Sequence, residues 1–247
     1  MSFIPKVSFV EQNNRGRDFF VGDIHGCLSL LEEALARVSF DRSLDRLFSV
    51  GDMIDRGPNS VGVLRLLKEP WFYAVRGNHE DMFLCALGLK PNPLTTLQDF
   101  LFNGGNWFLY ADKKELRDLA EIVVSLPHVI TIRSGNKRTN VVHAELAKYV
   151  NGDFVFFTDD DIDAWGQGRS GTIPVDEPDL LWERNVFLTK KKVATSERLS
   201  PTVCGHTPGR TMRKNAGHIN IDTGAFKKYH GKTGCLTVAT IQDLVAS

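Results

Sequence analysis

One pattern occurs three times between residues 19 and 90 and limits the folds that this chain can adopt. Each time, a short apolar run ends at a glycine and a polar side chain, and a segment with apolar residues at helical spacing follows. The three stretches read FFVGDIHG, SVGDMIDRG and VRGNHE. Strand, loop and helix that alternate in this way favour parallel pairing, because the helix returns the chain to the same edge of the sheet. The sequence therefore predicts an α/β layer fold.

The remainder of the 247 residues continues the mixture of helices and strands. Helices are predicted at TTLQDFLF and KKELRDLAEIVVSL, then a hairpin that turns at Ser134–Lys137, and closing strands in PTVCGH, HINIDTG and CLTVATIQ. Residues 1–17 read as an irregular lead-in. Residues 151–180 are acidic and irregular, and we expect them to form a surface excursion or rim. Sheet-based single domains of this length are common, so residues 1–247 are predicted to form one domain.

Charge and cysteine usage limit the classes of partner. The 30 basic residues (Lys and Arg) balance the 30 acidic residues (Asp and Glu). This neutrality argues against a broad surface that binds nucleic acids or anionic membranes. The four cysteines lie far apart without a CxxC pair, which is typical of reduced thiols in a cytoplasmic protein. No run approaches the roughly 18 apolar residues of a membrane span. We therefore expect neither a nucleic acid nor a membrane as a partner.

Side chains with nitrogen or oxygen donors stand at or just past the ends of five predicted strands. Ligands collect at the carboxyl edge of an open α/β sheet, so these side chains are expected to converge. Six ligands without sulfur are too many for one ion with an open position, and they suit two divalent ions such as Mn, Fe or Zn. Two ions about 3.5–4 Å apart need a bridging group, for which Asp52 is the natural candidate, and water held between them would lose a proton near neutral pH. The six candidate ligands are Asp23, His25, Asp52, Asn78, His143 and His206.

Four further residues suit the handling of a phosphate group. Arg56 and Arg184 could hold phosphate oxygens through their planar guanidinium forks. His79 adjoins the candidate ligand Asn78, and we expect it to protonate a leaving oxygen as a general acid. Asp55 could hold that imidazole and favour its charged form.

The motifs GDIHG, GDMIDRG, RGNHE, VVHAE and CGHTPG occur in this order. With them, residues 17–240 resemble the phosphoprotein phosphatase branch of the calcineurin-like metallophosphoesterases, above all its phage and bacterial members. The resemblance implies an αββα sandwich of mixed sheets with flanking helices and a dinuclear site at the sheet edge. It implies manganese as the usual activating ion and in-line attack by a metal-bound hydroxide, without a phosphoenzyme. The implied substrates are phosphoserine and phosphothreonine in proteins, with phosphotyrosine as an extension.

The resemblance also implies roles for individual residues. The ligands implied for the first ion are Asp23, His25 and Asp52. Those implied for the second are Asp52, Asn78, His143 and His206. The implied acid is His79, oriented by Asp55, and the residues implied to hold the substrate are Asn78, Arg56 and Arg184. The SAPNY-type segment of eukaryotic members is absent, so no regulatory subunit is inferred.

Two other functions stay open on the sequence alone. A dinucleoside tetraphosphate hydrolase would share the GDxHG and GNH motifs, but that family typically replaces the position of Asp55 and more often has GNHD as its third motif. Asp55 and Glu80 therefore favour the protein phosphatase branch. The other alternative is an inactive, metal-stabilised binding module. It predicts lost ligands or a lost acid, whereas every candidate position here carries suitable chemistry.

Overall fold

The structure is a computed structural model that describes residues 3–90, 94–189 and 193–246. The strands within these residues are β1 (Val7–Glu11), β2 (Asp18–Val21), β3 (Arg46–Ser49), β4 (Phe72–Ala74), β5 (Val129–Ser134), β6 (Lys137–Val142), β7 (Ala147–Val150), β8 (Asp153–Phe156), β9 (Thr202–Cys204), β10 (Arg213–Asn215), β11 (His218–Asn220) and β12 (Val238–Thr240). The helices are α1 (Leu28–Arg37), α2 (Ser60–Arg65), α3 (Asn78–Ala86), α4 (Leu97–Phe102), α5 (Lys113–Ser125), α6 (Asp159–Gly166), α7 (Glu177–Leu181), α8 (Asn185–Leu188) and α9 (Ile241–Ala246). None of these described helices is long and apolar enough to cross a membrane.

Two mixed sheets lie at the centre of the fold. The four-stranded sheet has the order β12-β2-β3-β4, in which β2, β3 and β4 are parallel and β12 is antiparallel. The six-stranded sheet has the order β1-β5-β6-β9-β11-β10, in which β6, β9 and β11 are parallel. The predicted hairpin is confirmed, since Ser134 lies opposite Lys137 in the antiparallel pair β5–β6. The three predicted strand–loop–helix units are also present, as β2–α1, β3–α2 and β4–α3.

The alternation of side chains along the strands builds the layers. In β2, Phe20 packs between the two sheets, whereas Phe19 and Val21 point to the opposite face and pack with the helices. In β6, Val141 likewise lies between the sheets and Val142 on the outer face of the six-stranded sheet. Helices α1, α3 and α5 cover the outside of the four-stranded sheet, and α6 and α7 cover the outside of the other. The αββα sandwich that the resemblance implied is therefore confirmed.

Two expectations from the sequence are wrong. Residues 151–180 are not a surface excursion, because they contain β8, α6 and the start of α7 and bury Phe157, Ile162 and Trp165 against the six-stranded sheet. Their acidic residues serve local structure: Asp161, for example, accepts the backbone N–H of Thr158 at 2.8 Å in a capping box. Residues 1–17 are more than a lead-in, since β1 pairs in parallel with β5.

Candidate metal centre and active site

The candidate ligands meet at the carboxyl ends of five strands. Asp23, Asp52 and Asn78 follow the parallel strands β2, β3 and β4 of one sheet. His143 and His206 follow the parallel strands β6 and β9 of the other. All five side chains are buried. The edge predicted to gather ligands is therefore a shared boundary of both sheets, and residues far apart in sequence become neighbours there.

The loops that carry the site are tightly turned. Backbone in the left-handed region is costly for residues with a side chain and persists only where the surroundings impose it. Strain of this kind is concentrated at functional sites. Five site residues have φ between 46° and 72°: His25, Asp52, Asp55, Arg56 and His206.

Glycines permit close approach of the loops to the ligands. A Cβ on Gly205 would lie 1.9 Å from Oδ1 of Asp23, and one on Gly77 would lie 2.3 Å from Oδ1 of Asp52. Atoms cannot approach so closely, so any larger residue at either position would displace a candidate ligand. The glycine before the candidate ligand in RGNHE and in CGHTPG thus has a steric reason.

Asp52 stands between two groups of potential ligands. Its Oδ1 lies 3.3 Å from Nε2 of His143, and that nitrogen is 3.1 Å from Nδ1 of His206. Its Oδ2 lies 3.7 Å from Nε2 of His25 and 3.8 Å from Nε2 of His79. The first group consists of His25, Asp52 and His79, and the second of Asp52, His143 and His206. Within each group the potential ligand atoms lie within 4.8 Å of one another. Asp52 therefore presents one oxygen to each group, which is the arrangement that a carboxylate bridging two ions requires.

Three histidines each donate one ring N–H to the backbone and turn the other ring nitrogen toward the cluster. The donors are Nδ1 of His25, Nδ1 of His143 and Nε2 of His206, at 2.8, 2.8 and 3.0 Å. The acceptors are, in that order, the carbonyl oxygens of Ile54, Val50 and Trp182. Such a partner fixes the tautomer and the ring orientation of a metal-binding histidine. The other ring nitrogens, which face the cluster, are Nε2 of His25, Nε2 of His143 and Nδ1 of His206.

Asn78 and Asp23 join the cluster in different ways. Oδ1 of Asn78 lies 2.9 Å from Nε2 of His143, beside the second group. Asp23 belongs to neither group of three; its carboxylate accepts the backbone N–H of His206 at 3.0 Å. In the first group His79 takes the place that the sequence analysis gave to Asp23. The structure thus brings all six candidate ligands into one cluster, while their individual roles stay predictions.

Burial sets the charges of the cluster. It lowers the pKa of the three candidate ligand histidines and so favours the neutral rings that metal binding needs. Burial, and then the charges of Asp222 and Asp52, raise the pKa of Asp23 well above its usual range. For Asp52 burial acts in the same upward direction, but the surrounding imidazoles, His143 first, lower its pKa. Crowded buried carboxylates beside neutral imidazoles form a donor set for divalent cations, so the residues present fit a two-ion centre.

The candidate acid lies beside this centre in the first turn of α3. Nδ1 of His79 is 2.6 Å from Oδ2 of Asp55, and both side chains are buried. The backbone N–H of His79 donates to Oδ1 of Asp52 at 3.0 Å. Asp52 therefore holds the backbone of His79 and Asp55 holds its ring, with Nε2 turned toward the candidate metal ligands.

The two candidate phosphate-binding arginines also reach the cluster. Nη1 of Arg56 lies 2.8 Å from Nε2 of His25, and its guanidinium stacks on the ring of Phe226 at 4.8 Å. Nη1 of Arg184 donates to the carbonyl oxygen of His206 at 2.9 Å. Each guanidinium thus contacts a candidate ligand residue, one on either side of the site, which suits a clamp for an anion bound at the centre.

The sequence analysis assigned no site role to Glu80, although it is the last residue of RGNHE. Its buried carboxylate accepts the backbone N–H groups of Asp52, Met53 and Gly77 at 2.8–2.9 Å. Burial, and then the charge of Asp52, raise the pKa of Glu80 to about 8. Glu80 therefore holds the turn that carries the candidate bridging ligand. Its position at the end of the motif was the available signal.

Two more residues of the site were not assigned from the sequence. Asp222 follows β11 at the same sheet edge, and burial raises its pKa to about 6. The pattern HINID, an apolar strand that ends at a carboxylate, was a usable signal for it. Trp107 donates its indole N–H to Oδ1 of Asp55 at 2.7 Å. No sequence pattern identifies that contact, because it joins a turn far along the chain to the DRG motif.

An αββα sandwich with buried carboxylates and imidazoles at its sheet edge, and two arginines beside them, is the arrangement of a metal-dependent phosphoesterase. In agreement, the family model described as "Calcineurin-like phosphoesterase" matches residues 19–231. The chain belongs to this family of metallophosphoesterases. The family uses a dinuclear divalent metal site, and the two ligand groups around Asp52 supply candidates for it.

Similar proteins carry names of two kinds. The chain is 34% identical over 237 residues to "Serine/threonine-protein phosphatase 1" of Salmonella typhimurium strain LT2, which covers 94% of this chain and 95% of that protein. It is 47% identical to "Bis(5'-nucleosyl)-tetraphosphatase, symmetrical" of Coxiella burnetii over 78 residues, or 30% of this chain and 26% of that protein. A solved structure of a candidate diadenosine tetraphosphatase superposes with a TM-score of 0.59 at 24% identity, covering 95% of this chain and 93% of that one. This last similarity concerns the fold alone.

Proposed function

We propose that the chain is a phosphomonoesterase that removes phosphate from phosphoserine and phosphothreonine in proteins, with phosphotyrosine as a further substrate. The observation that carries this proposal is the buried pair of Asp55 and His79, 2.6 Å apart, beside the metal centre. Serine and threonine leave as strongly basic alkoxides, which need a proton in the transition state. The nucleotide that leaves a dinucleoside tetraphosphate is a much weaker base. A dedicated acid is therefore worth most for a phosphoprotein substrate.

The residues divide the work of such a reaction among themselves. Two divalent ions, for which we propose manganese, would polarise the phosphoryl oxygens and lower the pKa of a water molecule. Arg56 and Arg184 bind the remaining phosphate oxygens, and the amide of Asn78 helps to orient them. His79 gives a proton from Nε2 to the leaving oxygen. Asp55 keeps the other ring proton at Nδ1 and stabilises the charged imidazolium.

The named relatives support the proposal unequally. The similarity to the Salmonella phosphatase runs through almost the whole of both chains. The similarity to the Coxiella tetraphosphatase is higher but confined to 78 residues. Hydrolysis of dinucleoside tetraphosphates is therefore the second candidate. Metal-stabilised binding without catalysis has less support, because the candidate ligands and the candidate acid are all in place in the described cluster.

The test compares two substrates after metal removal and reloading. The chain is stripped with a chelator, reloaded with manganese, iron or zinc, and assayed on a phosphoserine peptide and on diadenosine tetraphosphate. We expect metal-dependent turnover with preference for the peptide. His79→Asn should retain its metal and lose turnover by about 10²- to 10⁴-fold, the usual range for a general acid. The exposed His230, replaced in the same way, serves as the control.

Each outcome decides between the candidates. Preference for the dinucleotide would reject the phosphoprotein assignment, and inactivity toward both substrates with metal bound would favour a binding module. Full activity of His79→Asn would remove His79 as the acid.

We also place the reaction in the cytoplasm, where the free thiols of Cys27, Cys85, Cys204 and Cys235 stay reduced. Fractionation of cells that express the chain tests this placement.

A further inference from the structure

A half-buried tryptophan holds the carboxylate that faces the candidate acid. Nε1 of Trp107 donates to Oδ1 of Asp55 at 2.7 Å, while Oδ2 of the same carboxylate lies 2.6 Å from Nδ1 of His79. Each carboxylate oxygen thus has its own partner. We propose that Trp107 is a positioning residue of the active site. It fixes the plane of the Asp55 carboxylate and, through it, the orientation of the His79 ring.

Trp107 is itself held against the helix that carries His79. It lies on a 3₁₀ turn, Gly105–Leu109, and its ring packs on Phe83 and Phe100 with centroid distances of 5.8 and 6.3 Å. Phe83 belongs to α3, one turn after His79. The indole and the imidazole therefore share one rigid support. The position of the N–H donor relative to the acid is set by this aromatic packing.

Asp55 needs such a partner because of where it lies. Its side chain is fully buried, and its φ of 72° places it in a tight turn in which its backbone N–H donates to Oγ of Ser60 at 2.9 Å. The terminal torsion of an aspartate is soft, so packing alone does not fix which oxygen faces the imidazole. The indole N–H occupies Oδ1 and leaves Oδ2 for Nδ1–H of His79. The proton available for transfer is then held on Nε2, the nitrogen that faces Asp52 at 3.8 Å.

This role predicts a dependence on the leaving group, and it rests on the proposed phosphomonoesterase activity. Phenolate is a stronger base than p-nitrophenolate and gains more from protonation as it leaves. Trp107→Phe keeps an aromatic ring and removes the donor. We expect it to lower kcat for phenyl phosphate by about 10-fold, the lower end of the loss that follows removal of an outer partner of a metal-site ligand. The loss for p-nitrophenyl phosphate should be clearly smaller, with KM and metal content unchanged.

A double-mutant cycle separates positioning from general support of the fold. If Trp107 acts through His79, its replacement costs nothing further in a His79→Asn background. Trp165→Phe is the matched control, because Trp165 packs in the outer layer and its buried Nε1 has no hydrogen-bond partner among the described residues. Equal losses on both aryl phosphates, or a loss that adds to that of His79→Asn, would refute the positioning role.

A spectroscopic measurement keeps the inference testable apart from activity. The Nδ1–H of His79, held 2.6 Å from a carboxylate, should give a strongly downfield proton resonance. That signal should move or broaden when Trp107 is replaced by benzothienylalanine, which exchanges N–H for sulfur and keeps the ring shape. An unchanged resonance would reject the inference. If the wild type hydrolyses no phosphate monoester, the proposed function fails, and this resonance still decides the role of Trp107.

Discussion

Replacement of Gly205 by alanine should damage the metal centre while the chain stays folded. The added Cβ would lie 1.9 Å from Oδ1 of Asp23, whereas real Cβ atoms essentially never come within 3.0 Å of a neighbour. The two atoms must therefore separate by about 1.1 Å, which far exceeds the ~0.2 Å tolerance of metal–ligand distances. Overpacking of this kind costs about 1–3 kcal/mol. If this cost reduces the binding free energy of the metal ions, their affinity falls by about 5- to 150-fold.

Calorimetric titration of manganese into the metal-free chain measures this loss directly. Circular dichroism at the same concentrations checks that the variant is folded. Gly135→Ala is the control, because its Cβ meets nothing within 4 Å in the turn of the β5–β6 hairpin, although the φ of +57° there is unfavourable for alanine. The control should lose some stability and no metal affinity. Two ions bound by Gly205→Ala with wild-type affinity would show that Asp23 is not a ligand in the predicted geometry.

Two further predictions concern stability. Burial raises the pKa of Glu177, but hydrogen bonds from His128 and Lys90 outweigh this effect and lower the pKa from an ordinary value of 4.5 to about 2. The ionised carboxylate therefore stabilises the fold above about pH 4.5. This contribution is lost as the pH falls toward 2. Urea unfolding of Glu177→Gln should accordingly show a deficit against the wild type at pH 7 that shrinks at pH 3, and a constant deficit would contradict the pairing. Phe157→Ala should cost about 3–5 kcal/mol, because the side chain is fully buried in the outer layer; Phe102→Ala, at a site 92% exposed, is its control, and similar unfolding midpoints for the two would contradict the burial of residues 151–180.

The sequence predicted those parts of the fold in which local pattern and tertiary structure agree. The units β2–α1, β3–α2 and β4–α3 each combine an apolar run with a helical period, so their nature and order were readable. Strand β1 was missed because its five residues, VSFVE, gain their strand character from pairing with β5, more than a hundred residues later. The segment 151–180 was misread because capping aspartates and short elements look like a solvated loop until the layer beneath them is known.

The site, like the fold, was predictable where local motifs determine it and not where distant contacts do. Ligands at strand ends converge for a topological reason, so the cluster around Asp52 followed from the order of the motifs. The membership of the two candidate groups did not, because the sequence cannot show that His79 brings a ring nitrogen within 4.8 Å of the ligand atoms of His25 and Asp52, while Asp23 belongs to neither group. Contacts made across the fold, such as that of Trp107, leave no local trace either.

The reason that short motifs carry so much of this site lies in the backbone. The candidate histidine ligands are oriented by carbonyl oxygens, and Glu80 holds the turn of Asp52 through three backbone N–H groups. Gly77 and Gly205 lie so close to the candidate ligands Asp52 and Asp23 that no side chain would fit at either position. Main-chain contacts of this kind involve residues next to the ligands in sequence. A candidate ligand, its glycine and a residue that binds the backbone, such as Glu80, therefore occur within a few consecutive positions. The candidate acid differs in part, because Asp55 and His79 lie in the GDMIDRG and RGNHE motifs, whereas Trp107, which holds Asp55, lies outside every motif. Proton transfer to the leaving group, which separates the two candidate substrate classes, therefore depends partly on a contact that the motifs do not describe.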